Sequence, residues 1–302
     1  MSNESGLNDS CIVAISGDQG SGKSTVGKLI ASALGCAVYS TGDMQRRMAT
    51  GLGLTSLELN RLAETDPSID RRIDSSTLEI AENEQRVVFD SRLAWRFVPQ
   101  AFKVFLTVDP VIGARRIIDA KRGQVEQYGS LDEALTQIQA RRDSEDARFR
   151  EMYDVRLNHL TNYDLILDSS HAEPDAIAQK VVECVRWHRA GVEFAPVWLS
   201  PRTPFPLTEP TPANRPADHQ TMPLLRYERH YFLFGGIPRL EEALQSPEPL
   251  TGFRLMAVSD GAPEQVRELI SGRLSMDTVR EWEQRHGFTY PSYPQTLLTE
   301  GA

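Results

Sequence analysis

The sequence predicts a doubly wound α/β fold on a five-stranded parallel sheet, with a smaller, mostly helical module at the C-terminal end. Three observations lead there. Five short apolar runs alternate with helical stretches over residues 1–190, the first run opens into a glycine-rich loop ending in Lys23-Ser24, and prolines crowd residues 191–223 before helical patterning returns. Apolar runs without strict alternation suit strands covered by helices on both faces. Strand–helix alternation makes the sheet parallel, and ligands of such sheets gather at the carboxyl ends of the strands.

The strands are expected at 11–16 (CIVAIS), 37–39, 86–90 (RVVFD), 103–108 (KVFLTV) and 163–168 (YDLILD). The helices are expected at 23–34, over most of 44–83, and at 111–121, 131–153 and 174–189. Eight of the 18 prolines lie in 191–223, a density that disfavours long helices and central strands, so this stretch reads as an extended connector or arm. Residues 224–302 form the accessory module. It contains a short aromatic run, YFLFGG at 231–236, read as a strand ending in a turn. Helices are expected at 238–245, at 263–271 after Asp260-Gly261, and at 275–286 with Ser275 as cap. The last two read as a hairpin packed by Leu269, Val279 and Trp282; the basic stripe of a DNA-reading pair is missing.

At 302 residues the chain is long enough for about two domains. Its 40% hydrophobic and 25% charged content excludes a largely disordered chain. The net charge of −9 argues against coating nucleic acid or a membrane by charge alone, so a bound anion needs a local positive site. Cys11, Cys36 and Cys184 lie far apart with no CxxC pair, which excludes a disulfide framework or a structural zinc site and fits a reducing compartment. The first ten residues lack the pattern of a signal peptide, and no apolar run nears the roughly 20 residues of a membrane span. A cytoplasmic protein without a membrane partner is expected.

The local positive site is at Gly17-Asp18-Gln19-Gly20-Ser21-Gly22-Lys23-Ser24, which fits G-x-x-x-x-G-K-[ST] at every fixed position. Gly17, Gly20, Ser21 and Gly22 shape a cradle of backbone N–H groups, with Lys23, Ser24 and Thr25 opening the helix beneath it. Lys23 adds a mobile charge for the β- and γ-phosphates of ATP, and the Ser24 hydroxyl is a Mg²⁺ ligand. After the second strand, Ser40-Thr41-Gly42-Asp43 starts a helix on which Asp43 and Arg46 share a face, and Thr41 serves as cap and ligand. Asp90 ends the third strand as a second candidate for the Mg²⁺ shell, with Arg92 over the cleft to grip a phosphate. Arg141 and Arg148 lie two turns apart on one helical face, after a loop holding Lys121 and Arg122. Asp143, Glu145 and Asp146 are possible surface partners for them. A lid carrying those arginines would surround a transferring phosphoryl group with positive charge.

The set GDQGSGKST, STGD with Arg46, LAETDPSIDRRID, VVFDSRLA, ARRDSEDARFREMY and YDLILD resembles the cytidylate kinase family over about residues 10–188, nearest to its short archaeal-type members. The resemblance implies a P-loop nucleoside monophosphate kinase with an inserted acceptor-binding region at about 43–84 and a lid at about 115–148. It implies transfer of the ATP γ-phosphate to CMP or dCMP with Mg²⁺. Carried over, Lys23 and Ser24 serve the donor phosphates, and Thr41, Asp43 and Arg46 flank the acceptor. Arg92 contacts its phosphate, Arg141 and Arg148 clamp the transferring group, and Asp70 lies near the acceptor base. The chain departs from that pattern at Asp90-Ser91, where Glu-Gly is common, and at Trp95, where glycine is common. Asp18 and Gln19 stand where two prolines are often found. Asp18 is expected to alter phosphate affinity, and Ser91 and Trp95 to reshape the acceptor pocket.

Two other readings stay open. One is a kinase for a modified nucleotide, a small metabolite or a base in DNA. The other is a nucleotide-dependent regulatory protein acting through 224–302 on a protein partner, a second copy or, despite the charge, nucleic acid. The six histidines, among them His159, His171 and His286, show no metal-ligand spacing.

Overall fold

The computed structural model describes residues 10–120, 130–207, 222–227, 229–258 and 263–294. Five strands form the expected parallel core: β1 (Cys11–Gly17), β2 (Ala37–Ser40), β3 (Arg86–Asp90), β4 (Phe102–Thr107) and β5 (Leu165–Asp168), in the order β2-β3-β1-β4-β5. All four pairings among them are parallel. Along β1, Val13 and Ile15 face one core layer and Ile12 and Ala14 the other, so every residue of the run finds apolar company. The first layer is closed by α1 (Lys23–Leu34) and α8 (Pro174–Arg189), through Val26, Ile30, Ile177 and Val181.

The stretch after β2 folds as α2 (Thr41–Leu52), α3 (Ser56–Thr65) and α4 (Pro67–Asn83). Asp66 separates the last two. Its side chain accepts from Ser68 N at 2.9 Å, and Pro67 takes the first helical position, where its missing N–H costs nothing. Then come the short α5 (Ala94–Phe97), α6 (Pro110–Asp119) and the 23-residue α7 (Leu131–Tyr153), started by Ser130, whose Oγ accepts from Glu133 N. Lys121 and Arg122 lie outside the described residues, as do Asp260 and Gly261. Among those described, no helix is long and apolar enough to cross a membrane.

The sheet does not stop at β5. It continues through β6 (Val197–Leu199), β7 (Phe205–Pro206), β8 (Met222–Tyr227), β9 (His230–Leu233) and β10 (Thr251–Val258), in the order β6-β10-β8-β9-β7. The helices α9 (Ile237–Gln245), α10 (Pro263–Ile270) and α11 (Met276–His286) lie between and after these strands, and Ser275 caps the last as expected. The expectation that the prolines exclude central strands is overturned. Pro196 stands just before β6, where its carbonyl accepts from Ile166 N at 2.8 Å, and Pro201 lies beyond the strand. Pro223 is the second residue of β8 and contributes only its carbonyl, to Phe234 N at 3.0 Å. Each proline sits where no N–H is needed. The second core layer runs through both halves: Phe89, Phe105 and Ile166 share it with Leu199, Phe232, Phe253, Val279 and Trp282.

Candidate active site

At the carboxyl ends of β1 and β3 the chain opens a cleft of about 560 Å³, walled by the loop after β1, the start of α2, α4 and α7. The loop takes its shape from glycines. Gly20 and Gly22 hold φ of 77° and 79°, a region that favours glycine, and a Cβ on Gly20 would lie 2.3 Å from the Gly113 carbonyl oxygen of α6. Lys23 Nζ donates to the carbonyls of Gly17 at 2.9 Å and Asp18 at 3.1 Å, which poises it over the loop. Burial is the main force lowering its pKa, followed by the charge of Arg92; Asp90 and Asp18 offset part, and the group settles at about 8. Ser24 Oγ donates to Asp90 Oδ2 at 2.6 Å, and Ser40 Oγ reaches the same oxygen at 3.4 Å. A hydroxyl and a carboxylate side by side form the hard oxygen set that Mg²⁺ takes.

Nine of the residues singled out from sequence line this one cleft: Lys23, Ser24, Thr41, Arg46, Asp70, Asp90, Arg92, Arg141 and Arg148, together with Gly20 and Gly22. Asp43 stands at the rim, ion-paired with Arg46, both side chains more than half exposed. Gly17 and Ser21 support the loop from within; Ser21 Oγ donates to the Asp18 carbonyl at 2.7 Å. Thr25 is exposed on α1 and lines no part of the cleft.

Three expectations are corrected, and the side chain of a further residue, Asp18, is placed. Ser40, not Thr41, caps α2: it keeps an extended backbone and its Oγ accepts from Asp43 N at 3.3 Å, while Thr41 is the first helical residue. Trp95 does not reshape the cleft. It is 7% exposed and packs in the core on Tyr163, and its Nε1 donates to the Arg92 carbonyl at 2.8 Å. Asp18 sends its carboxylate behind the loop, to Arg142 at 2.7 Å and Arg229 at 3.5 Å. Glu145 is no surface partner. It is 6% exposed and ion-paired with both Arg92 and Arg141, because α7 lays that face against the cleft.

Burial and the neighbouring guanidiniums of Arg141, Arg142 and Arg148 lower the pKa of Arg92. Such crowding of like charge is tolerated only around anions; Glu145 supplies one, and substrate phosphates would supply more. Arg148 pairs with Asp70 at 3.2 Å, and burial raises the pKa of Asp70. One turn on, Asp74 accepts from Tyr153 OH, and burial lifts it to about 6. The sequence signals for Glu145 and Asp74 were their four-residue spacings, from Arg141 and from Asp70. Nothing in the sequence pointed to Arg229.

The profile of the cytidylate kinase-like family matches residues 12–171. Cytidylate kinase of Archaeoglobus fulgidus is 34% identical over 182 residues, 60% of this chain and 98% of that protein. Cytidylate kinase of Natronomonas pharaonis is 38% identical over 58% of this chain and 88% of its own length. Among solved structures, shikimate kinase from Bacteroides thetaiotaomicron aligns over 58% of this chain and 98% of that one, at 21% identity and a TM-score of 0.45.

Proposed function

The chain belongs to the cytidylate kinase-like family and is a phosphotransferase of the nucleoside monophosphate kinase type, and from that premise we propose that it moves the γ-phosphoryl group of ATP to CMP or dCMP in the presence of Mg²⁺. The observation that carries the reading is the convergence of Arg92, Arg141 and Arg148 on the cleft that holds Lys23 and Ser24. The donor's polyphosphate lies on the loop amides, with Lys23 turning from the loop carbonyls to its β- and γ-oxygens. The acceptor enters between α2 and α4, its phosphate against Arg92 and its base toward Asp70. An acceptor phosphate oxygen attacks the γ-phosphorus as the bond to the β,γ-bridging oxygen breaks; that oxygen is already unprotonated at neutral pH, so no general base is required. Lys23, Arg92, Arg141 and Arg148 neutralise the charge spread over the transferring group, and in-line placement supplies the rest. Mg²⁺, when bound by Ser24 and Asp90, adds charge neutralisation at the phosphate oxygens.

Turnover of ATP against CMP, dCMP, UMP, AMP and GMP tests this. CMP and dCMP are expected to be the best acceptors, and no turnover with any pyrimidine nucleotide would overturn it.

A further inference from the structure

Asp18 is the second residue of the phosphate loop, and its carbonyl is built into the cradle. It accepts from Ser21 N at 3.3 Å, from Ser21 Oγ at 2.7 Å and from Lys23 Nζ at 3.1 Å. Where that carbonyl sits follows from where the side chain is held. The carboxylate is 4% exposed and lies outside the cleft. Arg142 of α7 approaches one oxygen at 2.7 Å, and Arg229, from the turn between β8 and β9, approaches the other at 3.5 Å. Val108 N donates to that second oxygen at 3.4 Å. The further charged and titratable groups around this cluster include Arg226, Asp109, His230 and Tyr231, with Lys23, Arg92 and Glu145 on the cleft side.

We propose that Arg229 is a positioning residue for the donor nucleotide: the C-terminal strands supply the counter-charge that pins Asp18 behind the phosphate loop and keeps its negative charge from acting on the bound polyphosphate. The inference rests on the reading of the loop as an ATP cradle, not on the identity of the acceptor. A buried carboxylate beside three phosphates repels them strongly in a low-dielectric surround unless cations lie closer to it. Arg142 shares α7 with Arg141, which lines the cleft, and it meets only one of the two carboxylate oxygens. Arg229 comes from a different element, the turn between β8 and β9, so the carboxylate has cations on it from both halves of the chain. Burial by itself would raise the pKa of Asp18, yet Arg142, Arg229 and Arg226 outweigh it and hold the group at about 2, so it is ionised throughout the working range. Arg229 lies beyond the family match over 12–171, so the C-terminal part of this chain reaches the phosphate loop from outside the matched region.

The experiment is a double-mutant cycle on the full chain, R229Q, D18N and R229Q/D18N, with R229K as the charge-preserving control. The readouts are equilibrium binding of AMP-PNP, the melting temperature, and separate KM values for ATP and CMP. R229Q is expected to weaken AMP-PNP binding and raise the ATP KM by about fivefold or more, with the CMP KM unchanged. In the D18N background the same change is expected to do little, and R229K is expected to retain most of the affinity. The inference is overturned if R229Q weakens binding equally with and without Asp18, or if it lowers the melting temperature and shifts both KM values alike. Should R229Q fail to fold, R229K against R229K/D18N carries the same comparison with a smaller effect. Because AMP-PNP binding needs no acceptor, the coupling can appear in a chain that phosphorylates no pyrimidine, and that outcome sinks the acceptor reading alone.

Discussion

The two halves of the sheet are built by different rules. From β2 to β5 every pairing is parallel, and each pair of successive strands is joined by helical crossovers. From β6 to β7 the pairings are mixed, and the strands meet far out of sequence order: Val197 of β6 lies beside Phe253 of β10, and Phe205 of β7 beside Phe232 of β9. The first half carries the cleft and every residue assigned to phosphoryl transfer. Among the described residues the second half reaches that chemistry at Asp18, through Arg229 and Arg226, and it also extends the sheet and fills the core layer beneath β3, β4 and β5. Local crossovers place ligands at strand ends; long-range pairing adds buried area and reach.

The hardest test of this division is to remove the second half. Cutting after residue 190 strips the β5 edge of its pairing with β6 and uncovers Phe105 and Ile166. The truncated chain is expected to aggregate or to lose its cooperative melt, because a bare edge beside exposed core invites intermolecular pairing. A monomeric, cooperatively folded 1–190 on size-exclusion and circular dichroism would break the comparison. Next, Lys23→Ala is expected to cut turnover by about a thousandfold or more while the melt stays near that of the unaltered chain. Phe253→Ala reverses the pattern. It is fully buried in the second half, so its loss is expected to cost about 3–5 kcal/mol in denaturant unfolding, with kcat retained under conditions where the variant remains folded.

The smallest effect is a pH dependence. The Lys23 pKa lies at about 8 in the folded chain against 10.5 ordinarily, so between those values the unfolded chain holds a proton that the folded chain has released. The contribution of Lys23 to stability therefore rises with pH across that window. Over the same window AMP-PNP affinity is expected to fall, by up to about tenfold per pH unit, as the charge that meets the phosphates is lost. Opposite slopes of melting temperature and affinity, both absent in Lys23→Ala, would sharpen the assignment; parallel slopes would contradict it.

The legible parts of the site share one property: their partners are near in sequence or implied by the strand ends. Gly17 to Ser24 announces itself because a phosphate cradle requires glycines, a lysine and a hydroxyl in one stretch. Asp90 and Arg92 are legible because they follow an apolar strand directly. Glu145 could be seen to pair with Arg141 but not to be buried, since burial depends on how α7 packs. Trp95 illustrates the opposite error: it neighbours Arg92 in sequence, yet its indole turns into the core.

By itself the sequence determined the parallel half, the glycine-rich loop read as a phosphate cradle and the set of basic residues around it, because alternation, glycine placement and helical spacing are properties of short stretches. Only the tertiary structure decided that the sheet runs on through the proline-rich region, that Glu145 lies among the arginines, and that Asp18 is held from behind by Arg229. Those facts depend on strands and charges brought together across some 50 to 200 residues of chain, where the free energy of burial and pairing selects the partner and no local pattern records the choice.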